Sequence, residues 1–469
     1  MKNTSIKSAL FASVAIGAVC VGSVAAHAGG FGIREQSAVG QGASFAGEGT
    51  TGMGLSAMFW NPAAVTQATG MAGEQHGTLI IPNARETATT GTSPGLIPLP
   101  GYADGGDVGR TGGTTAGYNA MQLSPQWFLG MSVTSPYGLS TGTTPNWAGQ
   151  QLGTRAQISS LDVNPIIGYK VNDWLSIGGG PRLLWLQGKL DSTILPPGAT
   201  ALLGTTGPTA LKADDYGFGF SAGATITPGP NTEIALGYRS QVSLDLDGHI
   251  LFPPLPAAAL GLIAAASPAK AAFLGAVGGT QVNIGNGKTT LPDQANIGIR
   301  QRLTDTFSLL GTVEWTHWSL VQNIAFNYTN GPAAGTPATN ITFNYRDGWF
   351  FSVGGEYIWD PRTTLRAGIG YELSPVTDAV RDTTLPDNNR WWFSAGISNK
   401  ITERFTIDFG YTFIWVGNTS ITVNANHPDF LTIAPQNLIV TTSPYINIFA
   451  ASIRYKFDMP QGIPLITKG

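Results

Sequence analysis

Residues Ile234 to Asp247 read I-A-L-G-Y-R-S-Q-V-S-L-D-L-D, and the order of apolar and polar residues in them decides the fold. Ile234, Leu236, Tyr238, Val242, Leu244 and Leu246 share one face of an extended chain, while Ala235, Gly237, Arg239, Gln241, Ser243, Asp245 and Asp247 share the other. The alternation outruns the usual strand of a water-soluble domain and confines its charges to one face. It recurs. Phe405, Ile407, Phe409, Tyr411, Phe413 and Trp415 alternate with Thr406, Asp408, Gly410 and Thr412. Leu365 to Tyr371 and Phe449 to Phe457 repeat the pattern, with Arg366 and Arg454 on the polar side. A soluble sandwich rarely supplies so many long strands with aromatics toward their ends, where a bilayer interface places them.

The connections set the strand number. Tight turns are predicted at Ser124-Pro125, Asn172-Asp173, Pro228 to Asn231, Thr304-Asp305, Asp360-Pro361 and Thr402-Glu403. Long polar or Gly/Pro-rich links lie near 85–116, 140–154, 191–213, 248–280, 328–340, 374–389 and 418–440. Six short turns interleaved with seven long links give about fourteen strands, with short periplasmic and long external connections. The expected fold is an all-β antiparallel transmembrane barrel, with helical parts in its external loops near 191–213 and 248–280. Leu255 to Val277 is nearly long enough for a membrane helix, but it holds Lys270 and two prolines and lies between strands. It is read as a largely helical loop with an exposed apolar face.

Composition agrees. Charged residues are 11%, against roughly 25% in an average soluble domain. Glycine accounts for 62 of 469 residues, and a mean hydropathy of +0.06 is far too polar for a helical membrane bundle. The net charge of −3 gives no reason to expect nucleic acid. Met1 to Lys7 carries two lysines, an apolar run follows from Ala9 to Ala26, and Ala26-His27-Ala28 is a small-x-small cleavage site. Residues 1–28 are therefore expected to be an export leader, which also removes the one cysteine, Cys20. No disulfide is available to the mature chain.

A fourteen-stranded barrel encloses a lumen too wide for its own side chains to fill. Gly47 to Ala64 (GEGTTGMGLSAMFWNPAA) precedes the first strand, has neither helical nor strand period, and is too apolar for a disordered tail. Gly40-Gln41-Gly42-Ala43-Ser44-Phe45 superficially suggests a dinucleotide fingerprint, but no strand precedes it. His27, His76, His249, His317 and His427 show no metal-ligand spacing, and no nucleophile constellation stands out. His317 is in phase with Val313 and Trp315, which places it in the interfacial girdle. No cofactor, metal or catalytic residue is expected.

The residues Phe31, Glu35-Gln36-Ser37-Ala38, Gly40, Gly42, Ala46 to Gly49 and Asn61-Pro62-Ala63 resemble the FadL/TodX (OmpP1) family of outer-membrane transporters for long-chain fatty acids and other hydrophobic compounds. Further along, Gly217 to Phe220, Tyr238-Arg239-Ser240, Leu291-Pro292-Asp293, Trp315 to Ser319, Ser374-Pro375-Val376 and Leu385-Pro386-Asp387 follow the same resemblance in order. It implies an N-terminal hatch inside the barrel, residues 29–73, in which Phe31, Glu35, Gly47, Asn61, Pro62 and Ala63 would act in plugging or gating. The barrel would span 74–457, with a tail at 458–469. It also implies an inward kink in the third strand that opens the wall. Ser135-Pro136-Tyr137-Gly138-Leu139 stands there, and Pro with Gly would break a ladder in any case.

The resulting expectation is a monomer in the outer membrane that imports hydrophobic small molecules, long-chain fatty acids first. The route is loop capture near 191–213 and 248–280, hatch-gated transfer, and lateral release. A fatty acid would favour a lumenal cation, and Arg182, Lys189, Arg239, Arg300 and Arg366 are the inward-phase candidates, unless they only pair with Asp245, Glu314 or Asp408. Aromatic or other hydrocarbons are the alternative cargo on the same fold. An open diffusion porin and an outer-membrane hydrolase are rivals of other classes.

Overall fold

The computed structural model describes residues 29–92, 104–195, 207–430 and 437–457. The expected leader, residues 1–28, and the tail, residues 458–469, lie outside them. Fourteen antiparallel strands close into a barrel. They are β1 (Met71–Asn83), β2 (Gly112–Gln122), β3 (Trp127–Thr134, resumed as Gly138–Gly142), β4 (Arg155–Lys170), β5 (Leu175–Ser192), β6 (Thr209–Gly229) and β7 (Thr232–Arg239, resumed as Val242–Leu251). Then come β8 (Gln281–Leu291, resumed as Gln294–Arg302), β9 (Phe307–Thr316), β10 (Gly348–Ile358), β11 (Thr363–Leu373), β12 (Arg390–Lys400), β13 (Phe405–Val416) and β14 (Tyr445–Phe457). The last strand pairs with the first, from Met71 opposite Phe457 to Asn83 opposite Tyr445, so no edge is left between them. Closure lets a strand cross lipid with its backbone groups bonded to its neighbours. No helix among the described residues is long and apolar enough to cross a membrane. The lipid band is carried by outward side chains such as Ile297, Val313, Val353, Ile369, Phe409 and Ile453.

The opening stretch differs from its simple reading. Ile234, Leu236 and Tyr238 face outward, and Ala235, Gly237 and Arg239 are turned in. At Ser240-Gln241 the ladder with β6 breaks, Arg239 opposite Ser221 being followed by Asp247 opposite Asp214. Eight residues of β7 then span seven of β6, so the bulge reverses the faces. Beyond it Val242, Leu244 and Leu246 are buried and Ser243, Asp245 and Asp247 are exposed. The neighbouring β8 reverses likewise at Pro292-Asp293: Val282, Ile284 and Leu291 point in, Ile297 and Ile299 point out. In both strands the inside is polar below the reversal and apolar above it.

Residues 29–70 fold inside the barrel, and the strand after them begins at Met71 rather than near Glu74. This insert has a short helix, Ala38–Gln41, and two 3-10 segments, Thr51–Phe59 and Pro62–Gln67. Such irregular backbone needs close-fitting walls. Lumen-facing glycines on eight strands supply them: Gly178 (β5), Gly223 (β6), Gly237 (β7), Gly298 (β8), Gly354 (β10), Gly368 (β11), Gly396 (β12) and Gly410 (β13). A Cβ at Gly178 would sit 2.7 Å from Ala63 N, and one at Gly410 2.6 Å from Ala38 O. At Gly237, Gly298 and Gly368 it would overlap the carbonyl oxygens of Trp60, Glu48 and Ala43. Glycine is required here by the approach of a second backbone.

Outside the membrane, two helices, Ala257–Ala266 and Pro268–Val277, form the predicted helical loop. The described part of 191–213 is strand or irregular and holds no helix, because β5 and β6 extend into it. The link between Thr316 and Gly348 contains a hairpin, Asn323–Tyr328 with Pro337–Thr342, and two other long links contribute strands to a second sheet. Arg85–Thr92, Gly106–Asp107, Thr419–Val423 and Asn437–Thr442 form a separate small sheet. It packs Ile421, Val423, Leu438 and Val440 against Trp147 over the barrel mouth.

Candidate functional site

The apolar inner faces above the two reversals line a partly open cavity of about 150 Å³. Its walls include Leu139, Leu186, Leu211, Leu246, Leu291 and Phe326, one from each of several strands and loops. Phe31 forms part of its lining. The Phe31 ring meets Trp318 at 4.8 Å, Tyr137 at 5.9 Å and Phe343 at 6.1 Å between centroids, an aromatic cluster that joins insert, kink and loops. An apolar chain of ordinary lipid size gains about 0.8 kcal/mol per buried CH₂ in such a space.

Beneath it lies a polar layer. Arg34 bridges Glu48 at 2.7 Å and Glu314 at 2.5 Å, with its guanidinium 3.7 Å from the Phe350 ring centroid. Arg182 donates two hydrogen bonds to Asp162 (3.0 and 2.6 Å), and Arg239 approaches the same carboxylate at 3.4 Å while donating to the Phe59 carbonyl. The start of the insert is tied to acids as well: Gly29 N donates to Glu372 at 2.9 Å and Gly30 N to Asp387 at 2.9 Å. Glu35 is buried and one of its oxygens has no partner; burial pushes its carboxyl up to about 7.

The cation candidates separate on this geometry. Arg300 and Arg366 pair with Glu356 at 2.6 and 2.8 Å, below the hatch and away from the apolar cavity. Arg182 and Arg239 are held by Asp162 in the polar layer. Lys189 alone of the five borders the cavity. It stands on the strand face opposite to Arg182, seven residues on, so its inward phase is corrected to a rim position. Asp245 is exposed and pairs with none of them, whereas Asp408 takes Arg454.

The third strand is interrupted between Thr134 and Gly138. The β2–β3 ladder stops at Gly117 opposite Val133; Gly138–Gly142 pairs with β4 on one side, and on the other Thr141 bridges Gly109, ahead of β2. Gly112 to Ala116 of β2 therefore lose their β3 neighbour. The insert fills part of that space: Ile33 N donates to Pro136 O at 2.8 Å and Gly138 N to Phe31 O at 2.9 Å. Ser135 N donates to the Gln36 side chain, whose amide returns a bond to Ser135 O. Tyr137 N donates to Ser160 Oγ.

At the other end of the insert, Asn61 is fully buried. Its Oδ1 accepts from Ala63 N at 3.0 Å, and its Nδ2 donates to Gly49 O, Ala224 O and Thr225 Oγ1. Pro62 opens the following 3-10 segment, and Ala63 packs under Gly178. Gly47 takes a positive φ of 78° and donates to Gly311 O. Sequence reasoning did not single out Arg34, which adjoins the Glu35-Gln36-Ser37-Ala38 motif, and gave Gln36 no role of its own. It quoted Trp318 within the Trp315 to Ser319 motif without its contact to Phe31, and missed Phe343 and Tyr345, whose role depends on loops meeting around Phe31.

The model of the outer membrane protein transport protein family (OMPP1/FadL/TodX) matches residues 19–457. The long-chain fatty acid transport protein of Salmonella typhi is 25% identical over 411 residues, covering 85% of this chain and 90% of that protein. The 47 kDa outer membrane protein of Pasteurella multocida is 24% identical over 451 residues, covering 94% and 96%. A Pseudomonas aeruginosa FadL homologue of known structure shares the fold with a TM-score of 0.77 at 22% identity, covering 92% of this chain and all of that one. The Pseudomonas putida toluene transporter TodX does so with a TM-score of 0.63 at 14% identity, covering 92% and 100%. With residues 19–457 matched and the barrel closed, the chain belongs to the OMPP1/FadL/TodX family of outer-membrane transport proteins.

Proposed function

We propose that this protein takes up long-chain fatty acids by capture at its external loops, transfer past the hatch and lateral release through the β3 kink. The observation that carries the reading is the apolar cavity directly above Phe31, whose backbone is bonded to the kink. A second, outer groove lined by Phe252, Lys270, Phe273 and Tyr328 beside the loop helices suits first capture. Lys189 at the cavity rim suits a carboxylate head. Lateral release keeps the chain out of water, whereas a wet pore would expose it. The glycine-seated hatch in the lumen weighs against an open porin.

A second reading has its own support. Asp382 and Asp429 also line the cavity, and burial pushes the Asp429 carboxyl up to about 7. With four of the five candidate cations paired elsewhere, an uncharged hydrocarbon is the alternative cargo.

Uptake of radiolabelled hexadecanoate and of toluene by cells that lack other carriers separates the two. Saturable hexadecanoate uptake that falls with Lys189→Met is expected. Toluene uptake alone, indifferent to Lys189, would overturn the fatty acid reading in favour of the second. Straightening the kink with Pro136→Val and Gly138→Val should stop uptake while leaving a heat-resistant barrel; full uptake by that variant would remove the lateral route.

A further inference from the structure

The wall beside the kink carries a trough on its outer surface. Across four consecutive strands the register places Phe409 (β13) opposite Ala451 (β14), Ala451 opposite Gly77 (β1) and Gly77 opposite Thr115 (β2). Continuing the β2–β3 ladder past Gly117 and Val133 would put Ser135 opposite Thr115, but the chain has turned inward there. The row of small residues therefore starts at the kink. Leu79 and Phe449, one row above, wall it, and both are about half exposed. Gly77 is exposed, and a Cβ on it would meet nothing within 4 Å. The open groove so formed runs from Gly113–Thr115 to Phe409. Three strand spacings give it a length of about 14 Å. On the bare edge of β2 the Thr114 hydroxyl is buried without a partner.

The geometry points to a release site for the departing ligand: the acyl chain leaving through the kink lies in this trough, over Gly77 and Ala451, before it mixes with bulk lipid. The assignment rests on the lateral-release reading. Departing ligand is the occupant because the trough is continuous with the kink at one end and closed by the Phe409 ring at the other. A glycine and an alanine in the row leave chain-wide space on a lipid face whose neighbours carry Leu, Ile and Phe. A groove fed from the bilayer would have no reason to begin at the strand break.

The test uses the mature chain, which has no cysteine if the leader is removed. Gly77→Cys, and Gly311→Cys on the far wall as reference, are labelled with a bimane fluorophore in vesicles. Hexadecanoic acid carrying a chain-end doxyl group is then added. Quenching at least twofold greater at position 77 than at 311, and lost when Pro136→Val and Gly138→Val straighten the kink, is expected. Gly77→Leu should cut uptake several-fold, with a heat-resistant barrel, while Gly311→Leu leaves it unchanged. Equal quenching at the two sites, or full uptake by Gly77→Leu while the straightened variant is inactive, overturns the release site and leaves lateral release standing. Excess quenching that survives straightening identifies a site filled from the bilayer and overturns the assignment to departing ligand. Uptake by the straightened variant removes lateral release itself.

Discussion

Adding one methyl group to the lumen wall should separate the hatch from the barrel. In Gly237→Ala and Gly368→Ala the new Cβ overlaps the carbonyl oxygens of Trp60 and Ala43. Neither obstacle is a flexible side chain, so the hatch backbone has to withdraw by about 1.5 Å to reach ordinary contact. Overpacking of this kind costs about 1–3 kcal/mol at each site, or about 2–6 for the pair. The wall gains, because alanine suits a strand interior better than glycine by about 0.5–1 kcal/mol. The two effects have opposite signs on two parts of one chain. A central value of about 4 kcal/mol raises the undocked population of the hatch by roughly a thousandfold. Hydrogen exchange by mass spectrometry, on peptides covering 30–70 and on β-strand peptides, reads both parts at once. Hatch peptides should exchange faster by two to three orders of magnitude while strand peptides and heat resistance hold. Gly311→Ala, at a lipid-facing position, serves as the control. Unchanged hatch exchange in the double variant would refute the claim that the glycine belt is what seats it.

Asn61→Ala removes one accepted hydrogen bond and the two N–H donors shared among Gly49 O, Ala224 O and Thr225 Oγ1 from a buried side chain, and should weaken docking of the 3-10 turn by about 2–3 kcal/mol, seen as faster exchange at Ala63 and Ala64 with lower uptake and no steady conductance. Deleting residues 30–64 should leave a heat-resistant barrel that conducts ions in a planar bilayer and has lost saturable uptake; conductance equal to the intact protein would mean the segment is no plug. The Glu35 carboxyl, raised by burial from 4.5 to about 7, binds its proton more tightly in the docked hatch than in water. Docking should therefore be firmest below about pH 5 and weaken by up to about 3 kcal/mol as pH rises past 7; Glu35→Gln should flatten that dependence in exchange measurements between pH 5 and 8.

The strand number was legible because turn chemistry is local: Pro230-Asn231 and Asp360-Pro361 announce themselves without reference to the rest of the chain. The loop helices were legible from alanine and leucine in Leu255 to Val277. The face reversal at Ser240-Gln241 was not. Ile234 to Asp247 keeps its period of two on both sides of Ser240, and a one-residue bulge changes which side is inside without changing that period. The glycine belt was equally hidden, since only cross-strand register brings Gly178, Gly223 and Gly237 together. Among the cations, phase identified inward arginines but not their fate. A buried guanidinium requires a carboxylate, and Asp162 and Glu356 come from other strands. The four-stranded sheet over the mouth escaped notice because its strands are short, polar on one face and set in long links.

The reversals also fix how high the molecule floats. At Ser240-Gln241 and Pro292-Asp293 the outer surface changes from Ile297 and Ile299 to Asp245, Asp247 and Lys288 within a few residues. Sinking by one rung would drag charges into hydrocarbon, where a lysine costs about 2–4 kcal/mol near the midplane and less toward the surface. Rising by one would lift isoleucines into the headgroups. The vertical position is thus clamped on the β7–β8 side by covalent sequence, and a membrane of another thickness has to adjust to the protein there. Above that waterline the same two strands behave as a soluble carrier, dry inside and wet outside, standing on a base that obeys the opposite solvent.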